Sequence, residues 1–197
     1  MQKYGEWENV YRQNPPGQLP WELGRPRPVL VRLFERGEVA AKGKALDVCC
    51  GLGTNAVFLA KSGFDTTGLD ISRTAVAAAK TKARQAGVKI RFLVGNAVEL
   101  PFADGEFDFV LDMGCFHHIV PEDREKFVKG ISRVLKKGGH YFMICFGGKN
   151  GRYWNAFSEK DLERIFSPHL DVLRISPYSS AEGDGVRRFF YATLMKK

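Results

Sequence analysis

The residues whose types and spacing carry chemistry begin with two glycines one position apart, Gly51 and Gly53, and a carboxylate, Asp70, that follows them. Glycines after a short apolar run let backbone N–H groups and a helix N-terminus approach a ligand closely. A carboxylate about 20 residues further on, at the end of the next strand, is placed to accept from both hydroxyls of a nucleoside ribose. Asp47, two residues before Cys49, either orients the turn or reaches a ligand amino group through water. A second set lies downstream, where Asp112 is followed by the adjacent imidazoles His117 and His118. Imidazole is the side chain most suited to acid–base work near neutral pH. His140 and His169 are expected to be structural. There is no Cys-x-x-Cys pair and no His at zinc-finger spacing, so no metal site is expected.

The elements that must position these residues follow from the apolar pattern. Ala45 to Val48 is a strand, Thr54 to Lys61 a helix and Asp65 to Leu69 a second strand, which Asp70 ends. Ser72 caps an Ala-rich helix running to Gln85, and Lys89 to Val94 is strand three. Glu106 to Met113, almost continuously apolar apart from Asp108, is strand four, covered on both faces. The pattern then predicts a helix over Pro121 to Leu135, stopped by Gly138 and Gly139, and strand five over His140 to Phe146. Ser158 and Asp161 open a short helix ending near Phe166. Leu170 to Ile175 and Arg188 to Met195 are the last strands. Pro177 to Gly185 is too short for a helical crossover, so this pair is antiparallel. The expectation is a three-layer, doubly wound α/β fold: a mostly parallel seven-stranded sheet with an antiparallel C-terminal strand.

Residues 1–25 are aromatic and Pro-rich, with Tyr4, Trp7, Tyr11 and Trp21, and Pro15 and Pro16 break any long helix there. Such a segment is either a lid or an arm packed on the sheet. Pro28 to Arg36 is a helix. Together, residues 1–40 form an aromatic cover and helix in front of a core over residues 41–197, in one domain of 197 residues.

Several of these motifs occur in an order that resembles class I S-adenosylmethionine-dependent methyltransferases. Leu46 to Gly53 resembles the first motif, and Gly68-Leu69-Asp70-Ile71-Ser72 the second. Gly95-Asn96-Ala97 with Leu100-Pro101-Phe102 resembles the adenine-binding turn, and Phe107 to Asp112 the fourth core strand. Arg133 to Gly139 before a strand matches as well. The resemblance covers roughly residues 44 to 147 and implies a Rossmann-like fold with S-adenosylmethionine as cofactor. It implies cofactor contacts from Asp47, Gly51, Gly53, Asp70, Ile71, Asn96, Ala97 and Asp112, with Asp112 offering oxygen to the methionine ammonium. His117 and His118 are then the candidate catalytic residues. Pro20 to Pro26 is similar to the segment before the core in thiopurine, thiol and tellurite-type methyltransferases, which adds Trp21 and Arg25 as cofactor contacts and implies a small-molecule acceptor, a thiol or another soft nucleophile. Two positions depart from the pattern. Cys49 stands where the first glycine is usual, so its backbone is not expected in a Gly-only conformation. Asn96 stands where Asp is common, and its bond to the adenine amino group loses charge assistance.

Composition narrows the function classes. The net charge of +8 raises nucleic-acid binding, and Arg73, Lys80, Lys82, Arg84, Lys89 and Arg91 form the densest basic patch. That patch lacks interleaved aromatics and reads as a solvated helix face, so no nucleic-acid partner is expected. No apolar run reaches the ~20 residues of a membrane span and the N-terminus lacks a signal-peptide core, so the expected compartment is cytoplasmic. Cys49, Cys50, Cys115 and Cys145 are expected as reduced, buried thiols. The alternatives are an RNA or protein methyltransferase using the basic surface, a nicotinamide oxidoreductase, and a non-catalytic nucleoside-binding module. The oxidoreductase is disfavoured because position 56 is Ala, which breaks Gly-x-Gly-x-x-Gly.

Overall fold

A computed structural model describes residues 4–148, 155–182 and 185–197. The chain divides into two units, residues 1–97 and 98–197. Its seven strands form one mixed sheet in the order β3-β2-β1-β4-β5-β7-β6.

In the first unit, β1 (Lys44–Val48), β2 (Asp65–Asp70) and β3 (Arg91–Val94) pair in parallel, with Asp47 opposite Gly68 and Asp70 opposite Val94. Four helices accompany them: α1 (Glu6–Gln13), α2 (Pro28–Glu35), α3 (Thr54–Ser62) and α4 (Arg73–Gln85). Ser72 caps α4 as expected, accepting from the Ala75 N–H. Small residues let α3 and α4 approach: a Cβ at Gly53 would lie 2.8 Å from the Ala79 methyl. Cys50, Ala56, Val76, Ala79, Ala83 and Phe92 fill this core. Pro15 and Pro16 end α1 and begin a single 3₁₀ turn at Pro16–Gln18.

The second unit holds β4 (Phe107–Met113), α5 (Arg124–Val134), β5 (Leu135–Phe146), α6 (Glu159–Phe166), β6 (Asp171–Glu182) and β7 (Gly185–Met195). Phe109, Val110, Leu111 and Asp112 are all fully buried, as a strand covered on both faces requires. The capping box expected at Ser158 and Asp161 is present. β7 runs antiparallel to both β5 and β6.

Two expectations change. The helix expected over Pro121 to Leu135 is a 3₁₀ turn, Pro121–Asp123, followed by α5, and β5 begins at Leu135 rather than His140. Leu135 already pairs with Phe107, and the register shifts before Phe109 meets His140, so the glycines make an irregularity within a strand instead of a helix stop. The last two strands are also longer than their apolar stretches. They continue as a hairpin arm through Glu182 opposite Gly185, because backbone pairing proceeds where side-chain patterning has stopped. The connection expected over Pro177 to Gly185 is therefore mostly strand, and residues 183–184 lie outside the described ones.

Candidate active site

In the first unit the chain leaves β1 through three left-handed residues, Cys49 (φ 55°), Gly51 (φ 52°) and Gly53 (φ 78°), before entering α3. Cys49 thus adopts the conformation that its side chain was expected to prevent. The left-handed region is open to an L-residue at a cost of roughly 1–2 kcal/mol, which the surrounding turn holds. This turn hangs on Asp70. The Gly51 N–H donates to Asp70 Oδ2 at 2.8 Å and the Ser72 N–H to Oδ1 at 2.9 Å. Asp70 is 5% exposed, and burial raises its pKa above the ordinary value while those N–H donors oppose the rise. A carboxylate has about four lone-pair sites. The Gly51, Ser72 and Ile71 N–H groups all act on this one, and the group still retains acceptor capacity for a ribose hydroxyl.

The neighbouring residues complete this half. The Gly95 N–H donates to the Asp70 carbonyl at 2.9 Å, which brings the Asn96–Ala97 turn to the end of β2; Ala97 is buried and Asn96 and Ile71 are half-buried. Asp47 is buried inside β1. Trp21 lies at the margin of exposure (37%) and meets Trp7 and Tyr11 edge-on, at 5.7 and 6.3 Å between ring centroids. Arg25 is exposed.

Sequence reasoning missed what holds the N-terminal segment here. Glu8 accepts from the Ser72 hydroxyl at 2.7 Å and from the Thr74 hydroxyl at 2.6 Å, at the N-terminus of α4. Glu22 accepts from the Thr54 hydroxyl at 2.6 Å and from Lys82, which also bonds Thr54. A Cβ at Gly51 would lie 2.8 Å from the Tyr11 hydroxyl oxygen, so the arm packs directly on the glycine turn. The Tyr11 hydroxyl is held neutral by burial and by the Asp70 charge. Lys82 is thereby taken out of the basic patch, whose remaining members Arg73, Lys80, Arg84, Lys89 and Arg91 are exposed.

The hydrogen bonds that Glu8 accepts from Thr74 and Ser72 lower its pKa from 4.5 to about 2. A depressed acid stabilises the fold above its unfolded pKa and loses that contribution as pH falls through its folded one. Glu8→Gln is therefore expected to flatten the loss of stability between pH 4.5 and 2, measured by urea unfolding at a series of pH values. An unchanged acid limb would show that the contact does not anchor the arm.

In the second unit Asp112 is fully buried, and its side chain makes four internal hydrogen bonds. Oδ1 accepts from the Gly114 N–H at 3.0 Å and the Cys115 N–H at 2.6 Å. Oδ2 accepts from the Phe116 N–H at 3.1 Å and the Tyr141 hydroxyl at 2.8 Å. The carboxylate thus folds the loop that carries His117 and His118. Burial raises its pKa to about 6 against those four donors. His117 is buried, with its ring centroid 3.9 Å from Phe146 and 4.3 Å from His118. His118 is half-buried, and desolvation pulls its pKa down to about 4, so it is neutral near pH 7.

The cysteines divide. Cys50 and Cys145 are free and buried as expected, whereas neither Cys49 nor Cys115 is a free thiol, so the expectation of four reduced thiols does not hold. No helix among the described residues is long and apolar enough to cross a membrane, and those residues contain no cluster of three or more potential metal ligands.

A mixed seven-stranded sheet with a left-handed glycine turn, tied to a carboxylate at the end of the second strand, defines a Rossmann-like nucleoside-binding fold. A family model described as a methyltransferase domain matches residues 45–139. The chain is 32% identical over 200 residues to a 2-heptyl-1-hydroxyquinolin-4(1H)-one methyltransferase of Mycobacteroides abscessus, covering 93% of this chain and 86% of that enzyme. It is 35% identical to a norajmaline N-methyltransferase of Rauvolfia serpentina over 66% of this chain, but spans only 45% of that enzyme. Its fold matches a structure solved for the conversion of a disulfide bond into a thioacetal group during echinomycin biosynthesis, with a TM-score of 0.86, 22% identity, and coverage of 98% of this chain and 91% of that one. The chain belongs to the class I S-adenosylmethionine-dependent methyltransferases, in a group with small-molecule-acting relatives.

Proposed function

We propose that the chain transfers the methyl group of S-adenosylmethionine to a small acceptor that ionises without help from a strong protein base. Asp70 would hold a ribose hydroxyl. Gly51, Gly53, Asp47, Ile71, Asn96 and Ala97 would surround the rest of the adenosyl group, with Trp21 at the covering arm. The exposed Arg25 is left out of this set. The observation that carries the donor assignment is the Asp70 carboxylate, bonded to the Gly51 N–H yet retaining acceptor capacity. When bound, S-adenosylmethionine would supply an electrophilic methyl carbon for in-line attack by the acceptor, with S-adenosylhomocysteine as the leaving group. The bond formed is acceptor to carbon, the bond broken is carbon to sulfonium, and the acceptor's proton has already gone to solvent.

Proton-transfer energies decide the acceptor side. An imidazole of pKa about 4 is a poor base: taking a proton from a thiol of ordinary pKa near 8.5 is uphill by about 6 kcal/mol. Ionising the same thiol into water at pH 7 costs only about 2 kcal/mol. Solvent ionisation wins over His118, which instead orients the acceptor through a hydrogen bond, while the buried His117 ring packs beside it. A thiol suits this chemistry, and so does a hydroxyl acidified by its own ring. The acceptor in the name of the Mycobacteroides abscessus relative carries its hydroxyl on a ring nitrogen.

Radiolabelled methyl transfer to a panel of thiols and hydroxylated heterocycles, run across pH, tests this reading. The midpoint of the rising pH limb is expected to move with the pKa of each acceptor. A limb fixed at one pH for every acceptor would restore a protein general base, and transfer only to amines or macromolecules would overturn the acceptor class.

A further inference from the structure

We infer that the N-terminal helix α1 completes the donor site: Glu8 and Tyr11, on one face of that helix, are positioning residues that brace the two backbone segments holding the Asp70 carboxylate. This rests on the methyltransferase reading above and deepens it. The carboxylate is held from two sides, by the Ser72 N–H on Oδ1 at 2.9 Å and by the Gly51 N–H on Oδ2 at 2.8 Å. Each side meets one residue of α1. Glu8 Oε2 accepts from the Ser72 hydroxyl at 2.7 Å and the Thr74 N–H at 3.2 Å, while Oε1 accepts from the Thr74 hydroxyl at 2.6 Å. Tyr11 lies against Gly51, its hydroxyl oxygen 2.8 Å from where a Cβ at that glycine would stand. Positions i and i+3 share a helix face, so one short helix reaches both braces.

Three features set α1 apart from an arm that merely covers the sheet. Ser72 is shared: its N–H donates to Asp70, while its hydroxyl accepts from the Ala75 N–H and donates to Glu8. The Glu8 contact therefore fixes the residue that fixes Asp70. At Gly51, held at φ 52°, the Tyr11 hydroxyl fills the space a side chain would take, so the turn is backed on that side. No residue of α1 is buried outright, and Val10 and Tyr11 pack half-buried beside Leu19, Leu52 and Ala75. With no core of its own, the helix takes its register from the Glu8 and Tyr11 contacts. A hydrogen bond weakens steeply as its geometry slips, so the carboxylate grips a ribose hydroxyl strongly only while both braces hold.

Calorimetry with two ligands separates positioning from support of the fold. S-Adenosylhomocysteine and its 2′,3′-dideoxy analogue differ only in the ribose hydroxyls. The wild-type protein is expected to bind the first at least tenfold more tightly. Glu8→Ala and Tyr11→Phe, each checked for an intact melting transition, are expected to lower that ratio several-fold, with affinity for the analogue changed by less than about twofold. Glu8→Gln, which keeps one acceptor oxygen and the side-chain shape, is expected to fall between, and it carries the test should Glu8→Ala fail to fold. A ratio unchanged in these variants, or both ligands weakened by the same factor, would overturn the inference, because a helix that only supports the fold acts on both ligands alike. A wild-type ratio of one, or no binding of S-adenosylhomocysteine at all, would overturn the Asp70 grip or the donor assignment itself, so the failures are told apart.

Discussion

Asp70→Ala is expected to weaken S-adenosylhomocysteine binding by on the order of a hundredfold. The carboxylate's remaining acceptor capacity is proposed for a ribose hydroxyl, and a hydrogen bond to a charged group contributes about 1.5–3 kcal/mol. That bond is lost, and the Gly51 N–H, now without its 2.8 Å acceptor, no longer fixes the turn. Asp70→Asn keeps one acceptor and the shape but not the charge, so a smaller loss is expected. Isothermal titration of both variants against wild type reads these values directly. Affinity unchanged in Asp70→Ala would remove Asp70 from the site.

Asp112→Ala is expected to act on folding. The substitution strands three backbone N–H groups and the Tyr141 hydroxyl in a fully buried place. Breaking a buried network of this kind costs about 3–5 kcal/mol, a large part of a typical 5–15 kcal/mol stability. The melting temperature should fall by roughly 10 °C or more. The pH dependence gives a second check. The folded pKa of about 6 lies above the ordinary 3.8, so the folded state holds this proton more tightly than the unfolded chain. The contribution is fully present below the unfolded value and declines as pH rises through about 6. The gap between wild type and Asp112→Ala should therefore narrow from pH 5 to pH 7.5, measured by denaturant midpoints. A gap that widens would contradict the buried-acid account.

The parallel half of the fold was legible because each strand–turn–helix unit is local. Val48, Gly51 and Gly53 announce the end of β1, and Ser72 announces α4. Asp70 was legible for the same reason, since its distance from the glycines is fixed by one βα unit. Long-range pairings left no such trace. Nothing adjacent in sequence marks Glu8 as a partner of Thr74, 66 positions away, or Glu22 as a partner of Lys82, 60 positions away. That the Asp112 side-chain oxygens accept from Gly114, Cys115 and Phe116 was likewise not legible, since a strand-ending carboxylate reads the same whichever way it turns. The pairing of Phe146 with Phe189 and of Phe189 with Tyr178 was hidden likewise, because register between strands is set by pairing and not by spacing.

Asp70 and the Gly51–Gly53 turn are the proposed grip on an adenosyl methyl donor. Titration calorimetry of the wild-type protein with S-adenosylhomocysteine and with NAD tests it most directly. Saturable binding of the first with one site per chain, and no heat from the second, is the expected result. A silent titration with S-adenosylhomocysteine, or tighter binding of NAD, would contradict it.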